Sequence, residues 1–249
     1  MAQLIAADEA YLTAALDDIW PDLVQETGKG WLRLRRQVWQ ALPLSLKRRS
    51  LRRAVWILRP FLSDVSLRPI EQAREIIERN ATGKQAYLPG GVRLQVGYEV
   101  LEITADATPP PPIPQLPTRT PLILPVPGQV LLAHGWQLIA TPLSEVNLAA
   151  IQANADPWQA FVDIGDANVL QVRPRQPGER FQPLGMGGHT ASLKKVMINN
   201  RIDASWRAYW PIVALPDCPV WVIGHQIDER VKVTADSRRV IHLQCIQSA

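Results

Sequence analysis

The sequence predicts an α+β protein: a mostly helical N-terminal domain with a β-hairpin, then a small α+β or β-sandwich-like C-terminal domain. Apolar residues recur at helical spacing through most of the first 80 residues, whereas short alternating apolar runs dominate after residue 128. Residues 107–127 hold nine of the 22 prolines, four of them consecutive, which favours a stiff connector. We therefore place domains at 1–105 and 129–249, separated by a proline-rich linker at 106–128.

The N-terminal half alternates helical patterns with short extended ones. The Gly-Lys-Gly turn at 28–30 interrupts the first helical pattern, and Pro43 suits the first turn of a second helix. Two glycines at the turn of the last pattern favour a hairpin. The predicted elements are helices at 3–26, after Pro43 and at 66–80, a strand at 31–34, and a hairpin at 86–96.

The sequence pattern of the C-terminal half predicts many short strands with one or two helices. Strands are indicated by brief apolar runs bounded by turn residues. The predicted strands are 130–132, 136–140, 160–164, 169–172, 212–215, 220–223 and 240–246. A helix is predicted to begin near Thr190 or Ser192 and to end near Asn200, with a short helix within 201–210.

Charge is distributed unevenly, although the net charge is only +4. Six acids and no Lys or Arg precede Lys29, whereas residues 29–59 contain ten Lys or Arg and no acid. The helix after Pro43 carries six of these bases, which indicates either a solvated surface helix or a contact with an RNA backbone. The sequence leaves both interpretations open. The RNA-contact candidates on this helix are Arg48, Arg49, Arg52 and Arg53.

The most informative stretch is residues 172–201, called here the basic segment. It holds six Lys or Arg against one acid, Glu179, and is rich in Pro and Gly. Extended backbone places Arg173 and Arg175 on the same side, and two lysines fall at the start of the predicted helix, where they oppose its dipole and favour an anionic partner. Several positioned cations near helix-terminal N–H groups predict a phosphate-binding surface.

Several function classes lack their sequence signatures. No apolar run reaches the ~18 residues of a membrane span, and the N-terminus has no basic region of a signal peptide. Cys218 and Cys245 form no CxxC pair and the four histidines are scattered, so neither a metal site nor a disulfide framework is indicated. Phosphate-loop, Gly-x-Ser-x-Gly and HExxH motifs are absent. We expect a cytoplasmic protein without a membrane partner.

The basic segment and the residues after it carry a family resemblance. The pattern Arg-x-Arg-x-x-Gly-Glu-Arg-Phe-x-Pro-x-Gly-Met occupies 173–186. Lys194-Lys195, Arg207, Pro211-Ile-Val, Trp221-Val-Ile-Gly and Asp228-Glu-Arg follow it in order. Over residues 165–245 this resembles the C-terminal domain of bacterial tRNA(Ile)-lysidine synthetases. Residues 1–103 resemble the helical middle domain of the same family.

The resemblance implies an ATP-dependent ligase that joins lysine to the wobble cytidine of the tRNA with a CAU anticodon. The SGGxDS-type pyrophosphate loop of that family is absent from the 249 residues. We therefore expect this chain to lack the ATP-binding catalytic domain and to contain no catalytic residue and no cofactor site of its own. ATP and magnesium are expected for the complete enzyme. The expected partners are tRNA and a separate pyrophosphate-loop domain or subunit.

The resemblance also assigns tRNA-binding residues. Arg173, Arg175, Arg180, Lys194 and Lys195 match the basic motif of the family. Arg201, Arg207 and Arg230 fall at matching basic positions. Glu179 is expected to orient Arg180 or Arg175 through an ion pair, and Phe181 and Met186 are expected to lie in the core because a lone aromatic lacks the array of a base-stacking surface.

Two other function classes remain open from the sequence. One is a stand-alone, non-catalytic RNA-binding module, which an upstream reading frame encoding a catalytic half would argue against. The other is a protein-interaction scaffold that works through the proline-rich linker. That scaffold would bind a proline-recognition partner and no RNA.

Overall fold

The computed structural model of the protein describes residues 2–79, 81–107 and 109–248. The chain forms two compact units, Met1–Pro110 and Pro111–Ala249. Helices and antiparallel sheets occur in both units. The predicted α+β fold class, with helices concentrated in the N-terminal part and strands in the C-terminal part, is confirmed.

In the part of the first unit that the structure describes, four α-helices accompany one five-stranded antiparallel sheet in the order β1-β2-β5-β4-β3. The sheet is larger than the single hairpin that the sequence indicated, because β1, β2 and β5 add to that hairpin. The elements are α1 (Ala2–Leu23), β1 (Val24–Gly28), β2 (Trp31–Arg35), α2 (Arg36–Ala41), α3 (Leu44–Leu58), α4 (Leu67–Glu78), β3 (Gln85–Leu88), β4 (Val92–Val96) and β5 (Val100–Thr104).

The predicted first helix is correct to Leu23, but residues 24–26 belong to a strand instead. Val24 pairs with Leu34 across the β1–β2 hairpin, whose turn contains Gly30 at a φ of +82°. Backbone pairing to β2 therefore outcompetes continuation of the helix. Apolar faces of α3 and α4 pack with β2 and β4 in one buried core, which includes Leu34, Leu51 and Ile70.

The second unit is built around two four-stranded antiparallel sheets, in the orders β14-β13-β10-β6 and β7-β8-β15-β9. Its elements are β6 (Leu122–Pro125), β7 (Gly128–Leu131), β8 (Trp136–Pro142), α5 (Leu148–Gln152), β9 (Gln159–Asp163), β10 (Val169–Arg173), β11 (Arg180–Phe181), β12 (Ala191–Ser192), α6 (Leu193–Asn199), β13 (Ile212–Ala214), β14 (Pro219–Val222) and β15 (Val240–Gln247). Apolar residues of both sheets share one core. The sandwich-like prediction for this half is thereby confirmed.

The C-terminal part of the predicted linker is integrated into this second unit. Strand β6 pairs with β10, and both Leu124 and Leu116 are buried in the core. Burial of these apolar side chains stabilises the segment as part of the unit, whereas an extended spacer would leave them exposed to water. The short helix predicted within 201–210 is instead a series of turns.

Candidate nucleic-acid interface

The basic segment begins at the end of β10, and the chain returns to the sandwich at β13, after the segment has ended. A turn closed by the Glu179 N–H donating to the Gln176 carbonyl, 3.3 Å, leads into β11. Strands β11 and β12 form a two-stranded ribbon in which Arg180 lies opposite Ser192. Ser192 then caps α6 by accepting a hydrogen bond from the Lys195 N–H at 3.3 Å. The predicted start of this helix is confirmed.

A buried ion pair holds the first turn of the basic segment. Arg173 Nη2 lies 2.6 Å from Glu179 Oε1, and the two side chains are 6% and 8% exposed. Glu179 also accepts a hydrogen bond from the Gln176 N–H at 2.8 Å. The expectation that Glu179 orients Arg180 or Arg175 is wrong, because the end of β10 brings Arg173 to it first. Arg173 therefore braces the loop and keeps little surface for a phosphate.

Other cations of the basic segment are more available for binding phosphate than Arg173 is. Among the described residues, the side chains of Arg175, Lys194, Lys195 and Arg201 form no hydrogen bond or ion pair. Arg180 is exposed and donates one hydrogen bond to the Thr190 carbonyl at 3.2 Å. Free or weakly held cations on an ordered ribbon can exchange water for phosphate oxygens without breaking an internal ion pair.

The remaining predicted cations of the second unit form hydrogen bonds with nearby groups of the same unit. Arg207 Nε donates to the Ile202 carbonyl at 2.8 Å. Arg230 forms two hydrogen bonds with Asp228, at 2.7 and 2.9 Å, and this carboxylate raises the pKa of the Arg230 guanidinium. The Arg230 side chain is nevertheless 42% exposed. The first role of Arg207 and Arg230 is therefore to hold neighbouring parts of the protein in place.

Two acids that the sequence analysis did not single out anchor the loop between β11 and β12. Asp228 is fully buried and accepts the Gln182 N–H at 3.0 Å. Glu229 accepts the Gly185 N–H at 2.9 Å and pairs with Lys232 at 2.6 Å. The Lys232 and Gly185 hydrogen bonds lower the pKa of Glu229. The signal that pointed here was the Asp-Glu-Arg motif, which suggested only Arg230.

A separate cluster of buried apolar side chains packs the β11–β12 ribbon against α6. Phe181 is fully buried with Leu193 and Met197, so its prediction as a core residue is confirmed. Met186 is 52% exposed, and its prediction as a core residue is wrong. The glycines on both sides of Met186, with φ of +84° and +59°, turn the chain outward at the loop tip.

In the first unit, the bases on α3 face acids on neighbouring helices. Arg48 forms a two-pronged pair with Glu71 of α4, at 2.6 and 3.0 Å. These contacts, with Arg74, lower the pKa of Glu71 to about 2. Arg49 and Arg53 pair with Glu9 and Asp17 of α1, and Arg52 lies 5.2 Å from the ring of Trp56. Sequence spacing missed these partners because they come from other helices.

These ion pairs make the arginines of α3 less available for binding phosphate than the unpaired cations of the second unit. Each paired arginine would have to exchange a carboxylate for a phosphate, which yields little net electrostatic gain. The assignment of Arg48, Arg49, Arg52 and Arg53 to tRNA binding stays a prediction. No helix in the described part of the chain is long and apolar enough to span a bilayer, and the described residues contain no His, Cys, Asp and Glu cluster suited to a metal ion.

The chain is similar to known proteins in family, sequence and structure. Residues 170–245, which contain the whole basic segment, match the TilS substrate C-terminal domain. A tRNA(Ile)-lysidine synthase of Dehalococcoides mccartyi is 31% identical over 82% of this chain and 42% of the relative. One of Caldanaerobacter subterraneus is 23% identical over 98% of this chain and 50% of the relative.

The chain therefore spans about half the length of the curated relatives that it matches. A solved structure described as a TILS C-terminal domain covers 52% of this chain and 99% of that chain, with 28% identity and a TM-score of 0.44. Sequence similarity extends over both units, and the family match falls on the unit that carries the basic segment. The chain thus resembles tRNA(Ile)-lysidine synthases over most of its length, and its residues 170–245 match their substrate C-terminal domain.

Proposed function

We propose that this chain is the tRNA-recognition portion of a tRNA(Ile)-lysidine synthase. The observation that carries the proposal is a coincidence of two findings. The part of the chain that matches the substrate C-terminal domain, residues 170–245, also holds Arg175, Lys194, Lys195 and Arg201, which form no internal ion pair among the described residues. A braced ribbon with free cations suits an RNA backbone.

In this proposal the basic residues have two different tasks. Arg175, Arg180, Lys194, Lys195 and Arg201 contact phosphates and fix the register of the tRNA. Arg173 holds the turn through Glu179, and Arg230 holds Asp228 against the loop between β11 and β12. Cations engaged by buried carboxylates are poor phosphate ligands because binding would leave a buried charge without its partner.

The complete reaction in this proposal takes place with a pyrophosphate-loop domain that binds ATP and magnesium. ATP activates C2 of the wobble cytosine as an adenylate, and the amine of free lysine then displaces AMP. The chain described here holds the CAU-anticodon tRNA while that chemistry proceeds. This role places the protein in the cytoplasm, where tRNA is modified.

The test is binding of the full chain to the CAU-anticodon isoleucine tRNA, measured by fluorescence anisotropy at several salt concentrations, with elongator methionine tRNA as competitor. Five phosphate contacts predict a slope of about −4 in log K against log salt. Replacing Lys194 and Lys195 by alanine should flatten that slope by about 1.5 to 2 units. A matched control replaces two exposed lysines of the first unit, Lys29 and Lys84, and should leave the slope unchanged.

Two results would contradict the proposal. Absence of tRNA binding at low salt would remove the recognition role altogether. Equal losses in the Lys194/Lys195 and Lys29/Lys84 variants would show that binding follows total charge and not the basic segment. Lysidine formation on adding a pyrophosphate-loop domain in trans would extend the proposal from binding to the whole reaction, whereas binding without lysidine formation would favour a stand-alone RNA-binding module.

A further inference from the structure

A cavity of about 610 Å³ lies in the second unit beside the loop that joins β11 to β12. Its volume falls within the range of small-ligand sites, about 300 to 1,000 Å³. Apolar side chains and a few polar ones line it, among them Ile151, Phe161, Leu184, Ile227, Asp156 and Gln159. None of these residues belongs to the set of cations that the proposed tRNA contact uses.

The cavity shares a wall with the basic segment. Leu184 lines the cavity and is 43% exposed. Its N–H donates to the Ile227 carbonyl at 3.1 Å, and the next N–H, that of Gly185, donates to Glu229 at 2.9 Å. Hydrogen bonds thus fix the cavity wall to the loop between Arg180 and Lys194, two of the cations that the proposed tRNA contact uses.

The cavity lining also includes an aromatic ring next to hydrogen-bonding groups. The Phe161 ring stacks on His242 with centroids 4.6 Å apart and planes 7° apart. Gln159 Oε1 lies 2.9 Å from His242 Nε2, and Gln159 Nε2 donates to Asp156 at 2.7 Å. Burial lowers the pKa of His242, which favours the neutral form of the ring. A flat apolar face with amide and carboxylate groups at its edge matches an uncharged heterocycle.

Two of the residues that line the cavity have buried polar ring atoms. Trp221 and His225 line the cavity, and Trp221 Nε1 and His225 Nε2 are buried without a hydrogen-bond partner among the described residues. Buried polar atoms without partners are uncommon. The cation that lines the cavity, Lys232, is paired with Glu229, and Asp156 repels anions. The cavity therefore favours a neutral ring over a phosphate group.

We propose that this cavity binds a nucleobase, supplied as an unpaired base of the RNA held by the basic segment. The inference rests on the proposed tRNA binding and adds to it a contact with a base, where the basic segment supplies contacts with phosphates. A free nucleoside has the same chemistry as an unpaired base, so the experiment separates these two sources.

The test uses the full chain and two RNA hairpins that share one stem, one blunt-ended and one with a single-stranded 3′ overhang of four nucleotides. Stacking of one base should give the overhang RNA about tenfold tighter binding. Ala155→Trp, at an exposed residue that lines the cavity, should abolish this preference and leave blunt-hairpin affinity and its salt slope unchanged. Ala153→Trp, at an exposed residue outside the cavity lining, should keep the preference.

The outcomes distinguish this inference from the proposed function. Equal affinity of the unmodified chain for both hairpins overturns the nucleobase site and leaves tRNA binding intact. Failure to bind either hairpin or tRNA at low salt overturns the proposed function itself. Titration with cytidine and adenosine, followed by ligand NMR, supplies the second arm. Binding of free nucleosides that Ala155→Trp removes, without any overhang preference, overturns RNA as the source of the base.

Discussion

The buried ion pair between Arg173 and Glu179 gives the sharpest prediction about the basic segment. Glu179→Ala removes the partner of an arginine whose side chain is 6% exposed, and it also removes the acceptor of the Gln176 N–H. Removing one member of a buried pair costs about 3 to 5 kcal/mol, because the other charge stays buried without compensation. We expect the free energy of unfolding of the second unit to fall by that amount.

The assay is urea unfolding of the full chain, followed by far-ultraviolet circular dichroism and tryptophan fluorescence. Glu145→Ala removes an exposed carboxylate from the same unit and should change the free energy of unfolding by less than about 0.5 kcal/mol. The double variant Arg173→Met/Glu179→Leu removes both charges. It should lose only about 1 kcal/mol, the contribution of the Gln176 hydrogen bond.

The same variants test whether Arg173 braces the loop or touches RNA. A loss below about 1 kcal/mol for Glu179→Ala would refute the brace, because a solvated pair contributes no more than that. If Arg173 only braces the loop, the folded double variant keeps the salt slope of tRNA binding. A slope flattened by about one unit would show that Arg173 meets a phosphate directly.

Two other predictions concern packing and pH. Phe181→Ala empties a fully buried site and should cost about 3 to 5 kcal/mol, whereas Met186→Ala, at a residue 52% exposed, should cost less than about 0.5 kcal/mol in the same urea experiment. Arg48 holds the pKa of Glu71 at about 2 in the fold, below the ordinary 4.5. Stability from this pair is therefore complete above pH 4.5 and is lost as the pH falls toward 2; Glu71→Gln should remove that part of the acid dependence, and an unchanged acid transition would contradict it.

Local sequence patterns predicted an element correctly where residues within that element determine its position. Helical spacing after Pro43 and the capping residue Ser192 located α3 and α6, because helix ends depend on residues within a turn of them. Alternation and paired glycines located the β3–β4 hairpin for the same reason. The ordered motif at 173–186 indicated the family before any contact was known.

Patterns failed where the deciding partner lies far away in the chain. Strand β1 forms because β2 pairs with it, and β6 forms because β10 does. A short polar or proline-rich strand carries little signal of its own. Likewise, the acids that engage Arg48 and Arg53 belong to α4 and α1, so the basic appearance of α3 in sequence overstated its free charge.

The sequence by itself determined the fold class, the family resemblance and the location of the basic segment, because each depends on residue types and spacings within a short stretch. Only the tertiary structure decided which cations are free. It paired Arg173 with Glu179 and brought Asp228 and Glu229 to the loop between β11 and β12. The physical reason is that a charge is available to a ligand only when no opposite charge is close in space, and closeness in space is a property of the fold.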